Sequence, residues 1–103
     1  MWHYAAILAF LTLSSATALA EGPRPISRVN PEYPFAALNR GVKGSVLVEY
    51  TVDERGRVVS PRILEAQPPG VFDGAALRAL SRWRYEAMNG EPQTMKVKMT
   101  FRP

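Results

Sequence analysis

Side chains able to do covalent or metal chemistry are scarce in this sequence, and their scarcity is the first constraint on function. The single histidine, His3, lies in an uncharged N-terminal stretch, and there is no cysteine. Pairs of the Ser/His or Cys/His kind are therefore absent from the rest of the chain, as are the usual nitrogen and sulfur ligands of zinc. No glycine-rich stretch has the spacing that cradles phosphate. Glu32, Glu49, Asp53, Glu54, Glu65 and Asp73 are scattered over predicted turns and outward strand positions, where nothing sets up a general acid and base. These residues point to a binding module with no cofactor and no metal, not to an enzyme.

The elements that would carry such a module are read from periodicity. Gly44 to Asp53 alternates: Val46, Val48, Tyr50 and Val52 on one face, Ser45, Glu49 and Thr51 on the other, the pattern of a strand with one face on a core. Asp53-Glu54-Arg55-Gly56 reads as a hairpin turn with glycine in the left-handed position. The second strand, Arg57 to Ala66, contains Pro61 and should therefore lie at an edge with that position outward. A helical period begins near Val71 or Phe72 and runs through Ala76, Ala79, Leu80 and Trp83. The last strand, Thr94 to Arg102, points Met95, Val97, Met99 and Phe101 inward and Thr94, Lys96, Lys98, Thr100 and Arg102 outward. Upstream, Pro34 opens a short helix that Gly41 stops, with Phe35 and Leu38 expected in the core and Tyr33 held between two prolines.

The expected fold is α+β. A helical return between the second and third strands makes them parallel to each other and antiparallel to the first, and Pro61 makes the second strand a poor partner, so the order is 2-1-3. Two helices complete it. The third strand is left with an unpaired, proline-free edge. Such an edge is either blunted by its outward lysines or used to dock an extended peptide.

Ala5 to Ala20 is uncharged and ends in Ala18-Leu19-Ala20, followed by Glu21-Gly22-Pro23. Residues 1–20 fit a cleaved secretory signal, or else a short membrane anchor. Residues 21–29 hold Pro23 and Pro25 and read as an extended connector, reaching roughly 30 Å at ~3.1 Å per residue. Residues 30–103 form the folded domain. The formal charge is +4, but the basic residues are spread out and the chain is exported, which argues against nucleic acid. Without cysteine, an exported domain this small must rely on its core and would gain from a partner.

Several motifs in order resemble the C-terminal domain of the TonB family: Asn30-Pro31-Glu32-Tyr33-Pro34, Ala36-Ala37, Gly41-Val42-Lys43-Gly44-Ser45-Val46, Val52-Asp53-Glu54-Arg55-Gly56-Arg57-Val58, Ala75-Ala76-Leu77 and Arg82-Trp83-Arg84-Tyr85-Glu86. The resemblance implies a three-stranded antiparallel sheet with two helices. It also implies a periplasmic protein that binds the TonB box of outer-membrane transporters as an added strand, in TonB-dependent energy transduction. The edge would be Thr94, Met95, Lys96, Val97, Lys98, Met99, Thr100, Phe101 and Arg102, with Asn30 and Pro31 as a further transporter contact. Inner-membrane motor proteins become partners if the N-terminus stays as an anchor. The family's transducers carry an anchor and a long proline-rich segment, in whose place this sequence has the expected signal and the short connector. Asn30 stands where many members have Gln, and Ala87 where they often have Pro. The other readings of the same edge are a structural envelope module of the TolA kind and an edge-paired homodimer.

Overall fold

The structure, a computed structural model, describes residues 22–87 and 90–103. Its elements in chain order are β1 (Pro25–Ser27), α1 (Phe35–Asn39), β2 (Gly44–Val52), β3 (Val58–Gln67), α2 (Asp73–Leu80), β4 (Arg84–Tyr85) and β5 (Gln93–Phe101). The main sheet has the order β3-β2-β5 with both pairings antiparallel, as expected from the sequence. The alternation in β2 becomes alternation of burial: Val46, Val48, Tyr50 and Val52 are buried, while Ser45, Leu47, Glu49 and Thr51 between them are only half covered. β-branched and aromatic side chains fit this pleated, one-sided surface.

The turn from β2 to β3 is held by its own acid. The Asp53 carboxylate accepts the backbone N–H groups of Arg55 (3.0 Å) and Arg57 (2.9 Å), and the Gly56 N–H donates to the Asp53 carbonyl (2.9 Å). The Arg57 N–H bond, more than any other contact, holds the Asp53 carboxyl below the usual aspartate range. Gly56 has φ +83°, and a Cβ there would stand 1.9 Å from the Tyr85 carbonyl oxygen. The close approach is used, because the Tyr85 N–H donates to the Gly56 carbonyl at 2.8 Å. The hairpin is thereby fastened to β4.

Pro61 does what a proline in a strand must. The register of β3 on β2 slips between Glu49↔Arg62 and Thr51↔Val59, which leaves Ser60 and Pro61 as a bulge, with Ser60 at φ +52°. Arg62 still reaches across the outer face to Glu49 at 2.6 Å.

α2 covers the inner face of the sheet. Ala75, Ala76, Ala79 and Leu80 are buried, and the small alanines let the helix approach the aromatic residues beneath it. Those residues form a continuous layer. Phe72 stacks on Phe101 (4.3 Å, 17° between planes), and Tyr33 meets both edge-on at 5.5 and 5.9 Å. Further along, Tyr50 meets Trp83 edge-on at 5.9 Å, and its hydroxyl pairs with that of Tyr85 at 2.8 Å. Each edge-on or stacked pair adds roughly 0.5–1.5 kcal/mol to the burial itself. Desolvation drives the Tyr50 hydroxyl pKa well above the ordinary tyrosine value.

The short helix corrects one expectation. Phe35 is 77% exposed and Leu38 48%, while Ala37 is the residue that faces the core. Tyr33 has taken the place in the core instead, and its hydroxyl donates to the Val42 carbonyl. The Val42 N–H in turn donates to the Ala37 carbonyl at 2.9 Å, so Ala37 is held against the domain and Phe35 and Leu38 are turned away from it. Pro34 serves as the residue capping α1 and not as its first helical residue.

Gly56→Ala is expected to destabilise the fold by about 2–4 kcal/mol, since the new Cβ meets backbone and the φ is left-handed. Urea unfolding followed by tryptophan fluorescence checks it. Asp53, whose folded pKa is depressed, contributes stability above the ordinary aspartate value of 3.8 that is lost as pH falls through its lower folded value. Asp53→Asn should flatten the acid limb of the stability profile in that window.

Candidate functional site

β5 is bonded to β2 along its whole length, from Gly44↔Phe101 to Val52↔Gln93, without a register shift. On its other side no strand of the described residues pairs with it. Its inward side chains, Met95 and Val97 half-buried, Met99 and Phe101 buried, anchor the strand on the core. Thr94, Lys96, Lys98 and Thr100 are exposed on the opposite face, as is Arg102 just beyond the strand. The two edges of the sheet therefore differ in kind. The β3 edge is bulged at Ser60–Pro61, whereas the β5 edge is a regular run of nine residues with no proline and every second backbone N–H and C=O directed outward.

Beside this edge the outer face carries a shallow cleft lined by Lys43, Ser45, Lys98, Thr100 and Arg102, cationic and hydroxyl-bearing with no carboxylate. Among the described residues no group of three or more His, Cys, Asp or Glu side chains is placed to hold a metal ion. No helix of the described residues is long and apolar enough to cross a membrane. What the arrangement offers chemically is a ladder of unpaired backbone groups flanked by cations.

Residues 29–103 match the family model described as Gram-negative bacterial TonB protein C-terminal. The chain belongs to the TonB C-terminal family. It is 45% identical over 67 residues to Protein TonB of Yersinia enterocolitica, covering 65% of this chain and 26% of the relative. It is 38% identical over 92 residues to Protein TonB of Salmonella typhimurium, covering 88% of this chain and 37% of the relative. The match thus spans between a quarter and two fifths of the length of these curated relatives. Among solved structures it is similar to the C-terminal domain of Pseudomonas aeruginosa TonB in solution, with a TM-score of 0.73 and 26% identity over 81% of this chain and 88% of that one.

The other residues that the TonB resemblance singled out lie elsewhere. Asn30 is exposed and lines a second shallow cleft with Glu32, with Arg78 of α2 and with Arg82 just beyond that helix, while Pro31 is half-buried. No β5 residue lines that cleft. The segment leading into Asn30 is tied down more firmly than its composition suggested. β1 pairs antiparallel with β4, and the Glu86 N–H donates to the Arg24 carbonyl at 2.8 Å. The Trp83 indole N–H donates to the Val29 carbonyl at 2.9 Å, and the Arg28 guanidinium sits 5.1 Å over the Trp83 ring. Tyr85, which lies between the helical period and the last strand, is a buried strand residue. The Trp83-Arg84-Tyr85 segment thus holds the N-terminal entry to the domain.

Trp83→Phe should keep the ring in the core and lose the bond to Val29. The expected result is faster amide exchange at Glu86, with a loss of about 1–3 kcal/mol in stability. Equal acceleration at Glu86 and in the middle of β2 would mean that Trp83 acts only as core volume.

Proposed function

We propose that this domain binds extended segments of outer-membrane transporters, of the TonB-box kind, by adding them as a fourth strand along Thr94 to Arg102. It would do so in the periplasm, within TonB-dependent energy transduction and transport, as a binding protein and not an enzyme. The observation that carries the reading is the regular, proline-free β5 edge in a domain whose other edge is closed by a bulge. Strand addition takes its affinity from main-chain hydrogen bonds and its specificity from alternate side chains. An added strand would lay one set of side chains beside Met95, Val97 and Met99 and the other beside Lys96 and Lys98. Membership in the TonB family and the names of the relatives support the partner class.

In the same reading residues 1–20 export or anchor the chain, residues 21–29 connect it while being fastened to the domain through β1, and residues 30–103 bind. Asn30 and Pro31 supply a second contact to the transporter, separate from the edge. Motor proteins of the inner membrane are partners of the anchored form. Pairing of two copies through β5 is disfavoured by charge: in an antiparallel pair centred on Val97, Lys96 of each copy faces Lys98 of the other, and like charges directly opposite destabilise a sheet.

Titration of the isotopically labelled domain with a TonB-box peptide checks the proposal, the expected result being amide shifts concentrated along residues 94–102. Consecutive strand residues aim their N–H groups to opposite sides, so of Val97→Pro and Lys98→Pro one removes an outward donor and the other a donor to β2. The first should stay folded and bind about tenfold or more weakly. Shifts confined to β3, or none, would rule the edge out.

A further inference from the structure

The end of the domain where β2 begins and β5 finishes carries an exposed apolar pair and a cationic cluster, the cluster sharing Lys98 and Arg102 with the proposed peptide edge. Phe35 is 77% exposed, Leu38 48% and Val71 37%, and Phe35 and Leu38, three residues apart on one helix, share a side turned away from buried Ala37. Residues 33–48, 66–72 and 98–103 contain Arg40, Lys43, Lys98 and Arg102 and no Asp or Glu. The two ion pairs among the described residues, Arg57–Asp53 and Arg62–Glu49, involve none of these four. Three of the four, Lys43, Lys98 and Arg102, converge with the Ser45 and Thr100 hydroxyls on the shallow cleft beside Phe101. The helix and the cleft are close along the chain: the Gly41 N–H donates to the Leu38 carbonyl at 3.1 Å, and Gly44 pairs with Phe101.

We infer that this end of the domain docks on an anionic phospholipid bilayer, with Phe35 and Leu38 entering the headgroup region and Lys43, Lys98 and Arg102 meeting lipid phosphates. Charge complementarity selects the occupant. A second copy would bring the same four cations against these four, which like-charge repulsion opposes. A bilayer surface presents phosphate directly above hydrocarbon, so it takes up the exposed aromatic and aliphatic side chains and the surrounding cations together. A single exposed aromatic residue binds such a surface only marginally, and several cations near anionic lipid make the attachment stable but reversible. The consequence is that the domain would be held near the membrane plane without a spanning segment.

The test uses residues 22–103, which contain the whole aromatic core and extend past the matched region at its N-terminal side, so that the apolar N-terminal stretch does not bind lipid itself. Flotation is compared between vesicles of phosphatidylcholine alone and vesicles of phosphatidylcholine mixed with phosphatidylglycerol. The expected result is flotation with the anionic vesicles only, weakened by added salt. The Phe35→Ser/Leu38→Ser double variant should reduce it about tenfold or more, as should Lys43→Glu. Both changes are at exposed positions, and unchanged amide spectra show that the fold is kept. Equal flotation with neutral vesicles, no flotation with either, or unchanged binding by the variants overturns the inference. So does saturation of the cleft amides by inorganic phosphate without flotation, which would assign the cleft to a free anion. A dimer in sedimentation that Phe35→Ser/Leu38→Ser converts to monomer would assign the helix to self-association and overturn it as well.

Discussion

Backbone hydrogen bonding in a sheet of three strands leaves two edges, and the placement of one proline makes those edges unequal. β2 is bonded on both sides and has nothing left to offer a partner. β3 could offer its outer side, but Pro61 lacks an N–H and the bulge around Ser60 turns the ladder out of register. β5 keeps its outward groups in regular order. The function proposed for the domain follows from this asymmetry more than from any single side chain. The outward lysines fit both roles of such an edge, since they oppose pairing with a second copy and attract a segment of opposite charge.

Keeping β5 straight while one side is unpaired requires a stiff support. That support is the aromatic layer between the sheet and α2. Phe101, near the end of β5, is clamped by Phe72 and Tyr33, and the neighbouring Gly44 leaves no room for a side chain, since a Cβ there would lie 2.0 Å from the Gln67 carbonyl oxygen. At the other end of β2, Tyr50 is fixed by Trp83 and Tyr85. Trp83 then ties down the incoming chain through Val29 and Arg28. The binding edge and the N-terminal entry are thus mounted on one packed layer, in a chain that has no disulfide to help. A pull transmitted through the entry segment would be borne first by β1, β4 and the Trp83 contacts.

The parts of this arrangement that were legible in the residues are those with a period. The nine-residue strands β2 and β5 show their alternation several times over, and a proline inside the ten-residue β3 leaves that strand few positions in the sheet, so the strand order is legible in the residues. Phe35 and Leu38 were misplaced because a helix of five residues has too few turns to reveal its buried face, and because the neighbouring Tyr33 competed successfully for the core. The β1–β4 pairing was invisible for a related reason. Strands of three and two residues show no period, and the bonds that hold them join positions far apart in the chain, such as Trp83 to Val29. The apolar and cationic end of the domain is assembled from three separate stretches, and only folding brings them together.

The claim on which the account rests is that the outward side of β5 is an open hydrogen-bonding ladder that a transporter segment completes. Amide exchange of residues 93–101, measured without and with a saturating TonB-box peptide, tests it most directly. The account predicts alternation in the free protein, with amides directed to β2 protected and those between them exchanging quickly, and selective protection of the fast set when peptide is bound. Peptide binding that leaves the fast set unchanged while protecting amides elsewhere would contradict it.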